Sequence, residues 1–156
     1  MSKTSNNEGN LIAENRKARF NYQIGETFEA GLVLKGSEVK SCRAHKVNLT
    51  DGYAAFRGDE LFLQNVQITE YSHANRMNHE PRAVRKLLLH RKELNKLIGL
   101  WNSGVSLVPL KMYFKNSYVK VLLGAGKGKK THDKRQDLKK KQADREISRA
   151  VRSRRK

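Results

Sequence analysis

The sequence predicts a mainly β fold with helices, an antiparallel meander of short strands able to curl into a small barrel, followed by a basic tail that stays disordered. Three observations predict it. Before Gly124 apolar residues fall mostly in short alternating runs divided by turn residues, one longer segment repeats them at three- and four-residue steps, and after Gly124 they all but vanish. Charge divides the chain at the same place. Of the 156 residues 33 are Lys or Arg and 15 Asp or Glu, a net +18, and Ala125 to Lys156 holds 14 of the former against 4 of the latter. The stretch Gly126 to Arg135, GKGKKTHDKR, is the junction, and a polyanion is the partner that this balance calls for.

Composition sets the bounds. With residues 1–10 flexible and 125–156 a tail, residues 11–124 make one compact domain with a single core, and the 37% hydrophobic content suffices for it. No run of about 18 apolar residues exists to span a bilayer. The opening MSKTSNNEGN lacks the apolar stretch of a signal peptide, so the expected location is the cytoplasm. The single cysteine, Cys42, agrees with a reducing compartment, and we read it as a small buried hydrophobe.

Leu11 to Tyr22 has apolar ends and a basic middle; its period does not separate helix from strand, and we read a strand presenting Arg16, Lys17 and Arg19. Glu26 to Leu34 is a clearer strand, with Phe28, Ala30 and Leu32 on one face. Its Glu29 is an acid in a basic protein. It serves either as a salt-bridge partner of a neighbouring cation or as an acceptor for an exocyclic amine on a base. Lys35 to Arg43 reads as a turn and a short helix capped by Ser37, with Glu38 in the first turn and Val39 and Cys42 facing inward. Val47 to Ile68 holds two or three short strands, among them Tyr53–Phe56 and Leu61–Leu63 joined by a Gly-containing hairpin loop.

A long helix follows, opened by Pro81, marked by Val84, Leu87, Leu88, Arg91, Leu94, Ile98 and Trp101, and stopped by Gly104. Two strands, Val105–Phe114 and Tyr118–Gly124, close the body. Pro109 calls for an edge or a bulge in the first. In the second, Lys120 shares the outer face with an aromatic ring, a pairing suited to phosphate and base.

In the tail Gly126 and Gly128 loosen the chain, Lys127, Lys129 and Lys130 supply charge, and His132 is the only ring. Leu138, Ile147 and Val151 are too few to offset the ordering of this segment, so it is expected to fold only against RNA, with Asp133 and Gln136 as a capping box.

Four segments, NRKARF (15 to 20), FEAGLVLKGSEVKSCR (28 to 43), RKLLLHRKEL (85 to 94) and GKGKKTHDKR (126 to 135), resemble in order and spacing the bacterial tmRNA-binding small protein B family, also called SsrA-binding proteins. The resemblance implies an oligonucleotide-binding-like β-barrel with flanking helices. It also implies a role in trans-translation and ribosome rescue, in which the protein binds the tRNA-like domain of tmRNA and carries it to ribosomes stalled on messages without a stop codon. The tail then enters the empty mRNA channel and decoding centre of 16S rRNA. Elongation factor Tu and alanyl-tRNA synthetase are implied as partners reached through tmRNA. The resemblance places tmRNA contacts at Asn15, Glu29, Leu88 and Lys120, beside the basic Arg16 and Lys17. It places the decoding-centre contact around His132, Asp133, Lys134 and Arg135, with Lys127, Lys129 and Lys130 before them and Ile147 and Val151 in the tail helix. Cys42 departs from the Leu of most relatives, and Ala143 and Val151 from the Trp or Met of some.

Two rival readings stand beside it. Composition alone fits a structural ribosomal protein with a basic extension that binds rRNA. An enzyme such as a nuclease is disfavoured, because His45, His73, His79 and His90 are scattered and form no zinc or acid–base motif; no cofactor is expected.

Overall fold

The computed structural model of the chain describes residues 10–73 and 78–154, so the expectation for residues 1–10 lies, apart from Asn10, outside the described residues. The fold is mixed α/β, and helical residues nearly equal those in strands, more than a mainly β reading allows. Strands β1 (Leu11–Glu14), β2 (Tyr22–Leu32), β4 (Tyr53–Arg57), β5 (Glu60–Gln64), β7 (Arg85–Leu88), β8 (Ser106–Lys115) and β9 (Tyr118–Gly128) form one antiparallel sheet in the order β1-β8-β4-β5-β7-β2-β9. A further pairing of β8 with β9 closes it into a ring. Short strands β3 (Val47–Asn48) and β6 (Gln67–Ile68) pair separately. The inward side chains, among them Phe28, Ala30, Leu61, Leu63, Leu87, Met112, Val121 and Leu123, fill the ring, as a two-residue period on every strand requires.

Leu11 to Tyr22 is not one strand. It is β1, then helix α1 (Arg16–Asn21), then the start of β2. Asn15 makes the break: its Oδ1 accepts from the amide of Ala18, 3.2 Å away, which caps the helix. Its Nδ2 donates to the carbonyls of Leu49 and Pro109, both at 3.1 Å, so the cap is also nailed to the sheet.

Helix α2 spans Gly36–Arg43, but Lys35 is its N-cap residue and makes no side-chain cap. Ser37 instead bonds Nδ1 of His79, 2.9 Å away, whose Nε2 meets the carbonyl of Ile68 at 2.8 Å. Glu38 is in the first turn, yet it is buried against Arg85 at 3.1 Å.

The long helix begins later than its periodicity predicts. Arg85–Leu88 is strand β7, filling the gap between β5 and β2, and helix α3 runs only from Arg91 to Asn102. Leucines at 87, 88 and 94 mimic a helical stripe, but Arg85 and Leu87 point inward while Lys86 and Leu88 point outward, which is a strand's alternation. The ladder bonds on both sides of β7 decide the matter. Pro109 does mark a bulge, where the β8–β9 register shifts between Pro109 and Lys111.

Two expectations for the tail are corrected. Gly126 and Gly128 do not loosen the chain; they are ladder residues of β9, opposite Ile24 and Tyr22 of β2. A Cβ on Gly126 would come within 2.6 Å of the carbonyl oxygen of Gln23, so this glycine permits close strand approach. The tail beyond is not disordered but a helix, α4 (Thr131–Arg154), with no buried residue. Packing does not build α4. Its Lys, Arg, Gln, Leu and Ala content favours helix, and Asp133 stands within the first turn rather than at the cap, with Arg152 and Arg154 in the last, as the macrodipole favours.

Candidate nucleic-acid interface

The outer face of the ring gathers three of the expected contact residues around a glycine. In β2 Phe28 and Ala30 point inward, leaving Glu29 and Gly31 outside. Gly31 is opposite Leu88 of β7 on one side and Lys120 of β9 on the other. A Cβ on Gly31 would lie 3.4 Å from that of Leu88 and 3.6 Å from Nζ of Lys120, so the missing side chain leaves a notch with a leucine and an ammonium at its walls. Leu88 is 51% exposed and Tyr118, on the same face of β9 as Lys120, 71%, so an apolar side chain and an aromatic ring stand free beside the ammonium.

Glu29 is held from β8. Tyr113 donates its hydroxyl to Oε2 at 2.5 Å, and Nζ of Lys115 meets Oε1 at 3.0 Å. Partial burial pushes the Glu29 carboxyl up, but the hydrogen bonds from Tyr113 and Lys115 and the charges of Lys115 and Lys120 outweigh it and hold the group below its ordinary value. Burial, then the bond to Glu29, raises the phenol of Tyr113. The salt-bridge reading of Glu29 is therefore present in the structure, and its carboxylate is ionised at neutral pH. Tyr113 and Lys115 were passed over in the sequence; β8's alternation, which sets Lys111, Tyr113 and Lys115 on one face, was the available signal.

Asn15 stands apart from this group. Its side chain is buried and all its bonds go to the protein. Arg16 and Lys17, with Arg19, are exposed on α1, which covers a second small core of Ala18, Val108 and Leu110 on the ring's outer side. Leu122, packed against that core, is opposite Glu29, so the small core under α1 reaches the neighbourhood of the notch.

The tail's root lies against α1. Lys127 is in β9, the amide of Lys129 donates to the carbonyl of Asn21 at 2.8 Å, and the Lys129 ammonium pairs with Asp137. Nζ of Lys134 sits 5.9 Å from the ring centre of Phe20. Lys130, His132, Asp133 and Arg135 are exposed at the start of α4, and Ile147 and Val151 are exposed further along. They are not brought to the notch. Among the described residues no cluster of His, Cys, Asp and Glu could hold a metal, and no helix is long and apolar enough to cross a membrane.

A family model described as SmpB protein matches residues 12–153. The chain belongs to the SmpB family. Relatives named SsrA-binding protein include one from Geobacillus sp. (strain WCH70), 57% identical over 150 residues that cover 96% of this chain and 97% of the relative. Another, from Bacillus subtilis (strain 168), is 56% identical over 92% of this chain and 93% of its own. A solved SmpB structure described as "tmRNA-SmpB: a journey to the center of the bacterial ribosome" is similar with a TM-score of 0.64 and 51% identity, covering 76% of this chain and 85% of that one.

Proposed function

We propose that the chain is the tmRNA-binding adaptor of trans-translation, a cytoplasmic protein without catalysis of its own. The body, which we read as an oligonucleotide-binding-like barrel, binds the tRNA-like domain of tmRNA, and the chain delivers tmRNA to ribosomes stalled on messages without a stop codon. Elongation factor Tu and alanyl-tRNA synthetase meet the adaptor through the RNA. Membership of the SmpB family supports this, as do relatives named for binding SsrA.

The observation that carries the assignment of the site is the convergence of Glu29, Leu88 and Lys120 from three strands on the notch at Gly31. An ammonium contacts phosphate, an exposed leucine packs on a sugar or base, and a carboxylate accepts from an exocyclic amine. Arg16 and Lys17 add phosphate contacts along α1, while Asn15 acts by seating that helix. The exposed basic start of α4, with His132 to Arg135, is read as the decoding-centre contact, and Ile147 and Val151 as apolar anchors in the mRNA channel.

Gel-shift titration with the tRNA-like domain and an unrelated structured RNA across a salt series tests the reading. Lys120→Ala weakens tmRNA binding about tenfold, near 1.4 kcal/mol. Truncation after Arg135 leaves binding intact and abolishes peptide tagging. Equal affinity for both RNAs at every salt concentration would overturn the assignment, because charge alone predicts that result.

A further inference from the structure

Away from the notch, where the first residues of β8 meet β4 and the flank of α1, the surface opens into a cleft of about 400 Å³. Tyr53 and Trp101 border it, 44% and 37% exposed, and both rings are fixed in place. The Trp101 ring meets Phe56 edge-on, with centroids 6.1 Å apart at 65°, and the Tyr53 hydroxyl donates to Oε1 of Gln64 at 3.2 Å. Asp51 and Asn21 also border the cleft, and neither side chain has a partner among the described residues. Arg16 and Lys17 are exposed on the adjoining helix.

We infer that this cleft takes one unstacked nucleobase of the bound RNA, carrying an exocyclic amine, through stacking on Tyr53 and Trp101 and hydrogen bonds to Asp51 and Asn21. The volume is within the range of small-ligand sites. Single-stranded bases are read by aromatic stacking and by polar groups on their edges, and a carboxylate accepts from an amine but repels a carbonyl edge. The exposed Arg16 and Lys17 of α1, the helix whose Ala18 and Asn21 line the cleft, are available to the attached phosphates. The inference rests on the RNA-binding reading above but uses none of the residues at the notch.

Trp101 is the only tryptophan in the chain, so its emission reports on this cleft alone. The full chain is titrated with a transcript of the tRNA-like domain while RNA anisotropy and Trp101 fluorescence are read together. Saturation is expected to quench Trp101 and cut its acrylamide accessibility at least threefold. Tyr53→Ala is expected to weaken binding about tenfold, within the usual worth of one stacked base. Thr50→Tyr, at an exposed loop position on the cleft, is expected to leave the melting curve unchanged and abolish the quenching. Lys120→Ala weakens binding yet quenches fully at saturation. RNA that binds while Trp101 stays equally bright and accessible overturns the inference, as does shielding of Trp101 by purified elongation factor Tu but not by RNA. Absence of any preferential RNA binding in the unaltered chain removes the proposed function instead.

Discussion

Gly31 and Lys120 are direct partners across the β2–β9 ladder, and the lysine Nζ stands 3.6 Å from the position a Cβ on Gly31 would take. Alanine fits there in ordinary contact. Valine's additional methyls reach further, towards Nζ and Leu88. Gly31→Val should leave the melting temperature within a few degrees, since a β-branched residue suits a strand, and should weaken RNA binding about tenfold, 1.4 kcal/mol. Anisotropy and thermal melts of the same preparation separate the two effects.

Glu29 gives a prediction in pH. Its folded pKa is depressed, so its contribution to stability is fully present above the unfolded value near 4.5 and is lost as pH falls through the folded value. Glu29→Gln should therefore cost about 1 kcal/mol at pH 7, a charged hydrogen-bond pair discounted for solvent exposure. The gap between the two urea curves should narrow below pH 4.5 and close at lower pH. A gap that widens in acid would contradict this sign.

Arg85 and Glu38 are each 3% exposed, and the guanidinium also donates to the carbonyls of Val66, Ala83, Glu80 and Pro81. Glu38→Ala strands a buried cation and should cost about 3–5 kcal/mol in urea unfolding. Pairing it with Arg85→Met should cost less than the sum of the single changes, since one change already breaks the bridge.

The β8–β9 hairpin turns through Asn116 and Ser117, with φ of 50° and 67°. Both are left-handed, the geometry for which Asn-Gly is preferred. Ser117→Gly should raise stability by about 0.5–1 kcal/mol, read as a small upward shift of the melting temperature.

Helix α4 has 24 residues, against 6, 8 and 12 in the other three, and none is buried. Truncation after Arg135 should remove a large share of the helical circular dichroism while leaving the melting transition of the ring in place. In hydrogen exchange the α4 amides should exchange far faster than those of β8 and β9.

Much of this was legible in the residues. Phe28 and Ala30 alternate as a strand must, Pro109 announces its bulge, Glu29 and Leu88 lie in motifs that carry the family, and Lys120 follows from the alternation of its strand. The failures have local causes. Arg16 to Asn21 is too short for its period to declare a helix, and only the tertiary bonds of Asn15 show why the chain turns there. Leu87 and Leu88 fit either period until β5 and β2 claim them. The tail's lack of apolar residues was weighed against order, but helical propensity needs no core. The cleft at Trp101 escaped notice because its walls come from three segments distant in sequence, around Asn21, Tyr53 and Trp101, a juxtaposition only the closed ring creates.

The bond from Lys129 to Asn21, with the last rungs of β9 on β2, ties the base of α4 to α1, whose small core reaches the neighbourhood of the notch. Any ligand that re-seats α1 therefore turns the base of a rod about 36 Å long. A tilt of about ten degrees there sweeps the far tip through roughly 6 Å. A grip on RNA that shifted α1 would thus steer where the other end of the molecule points.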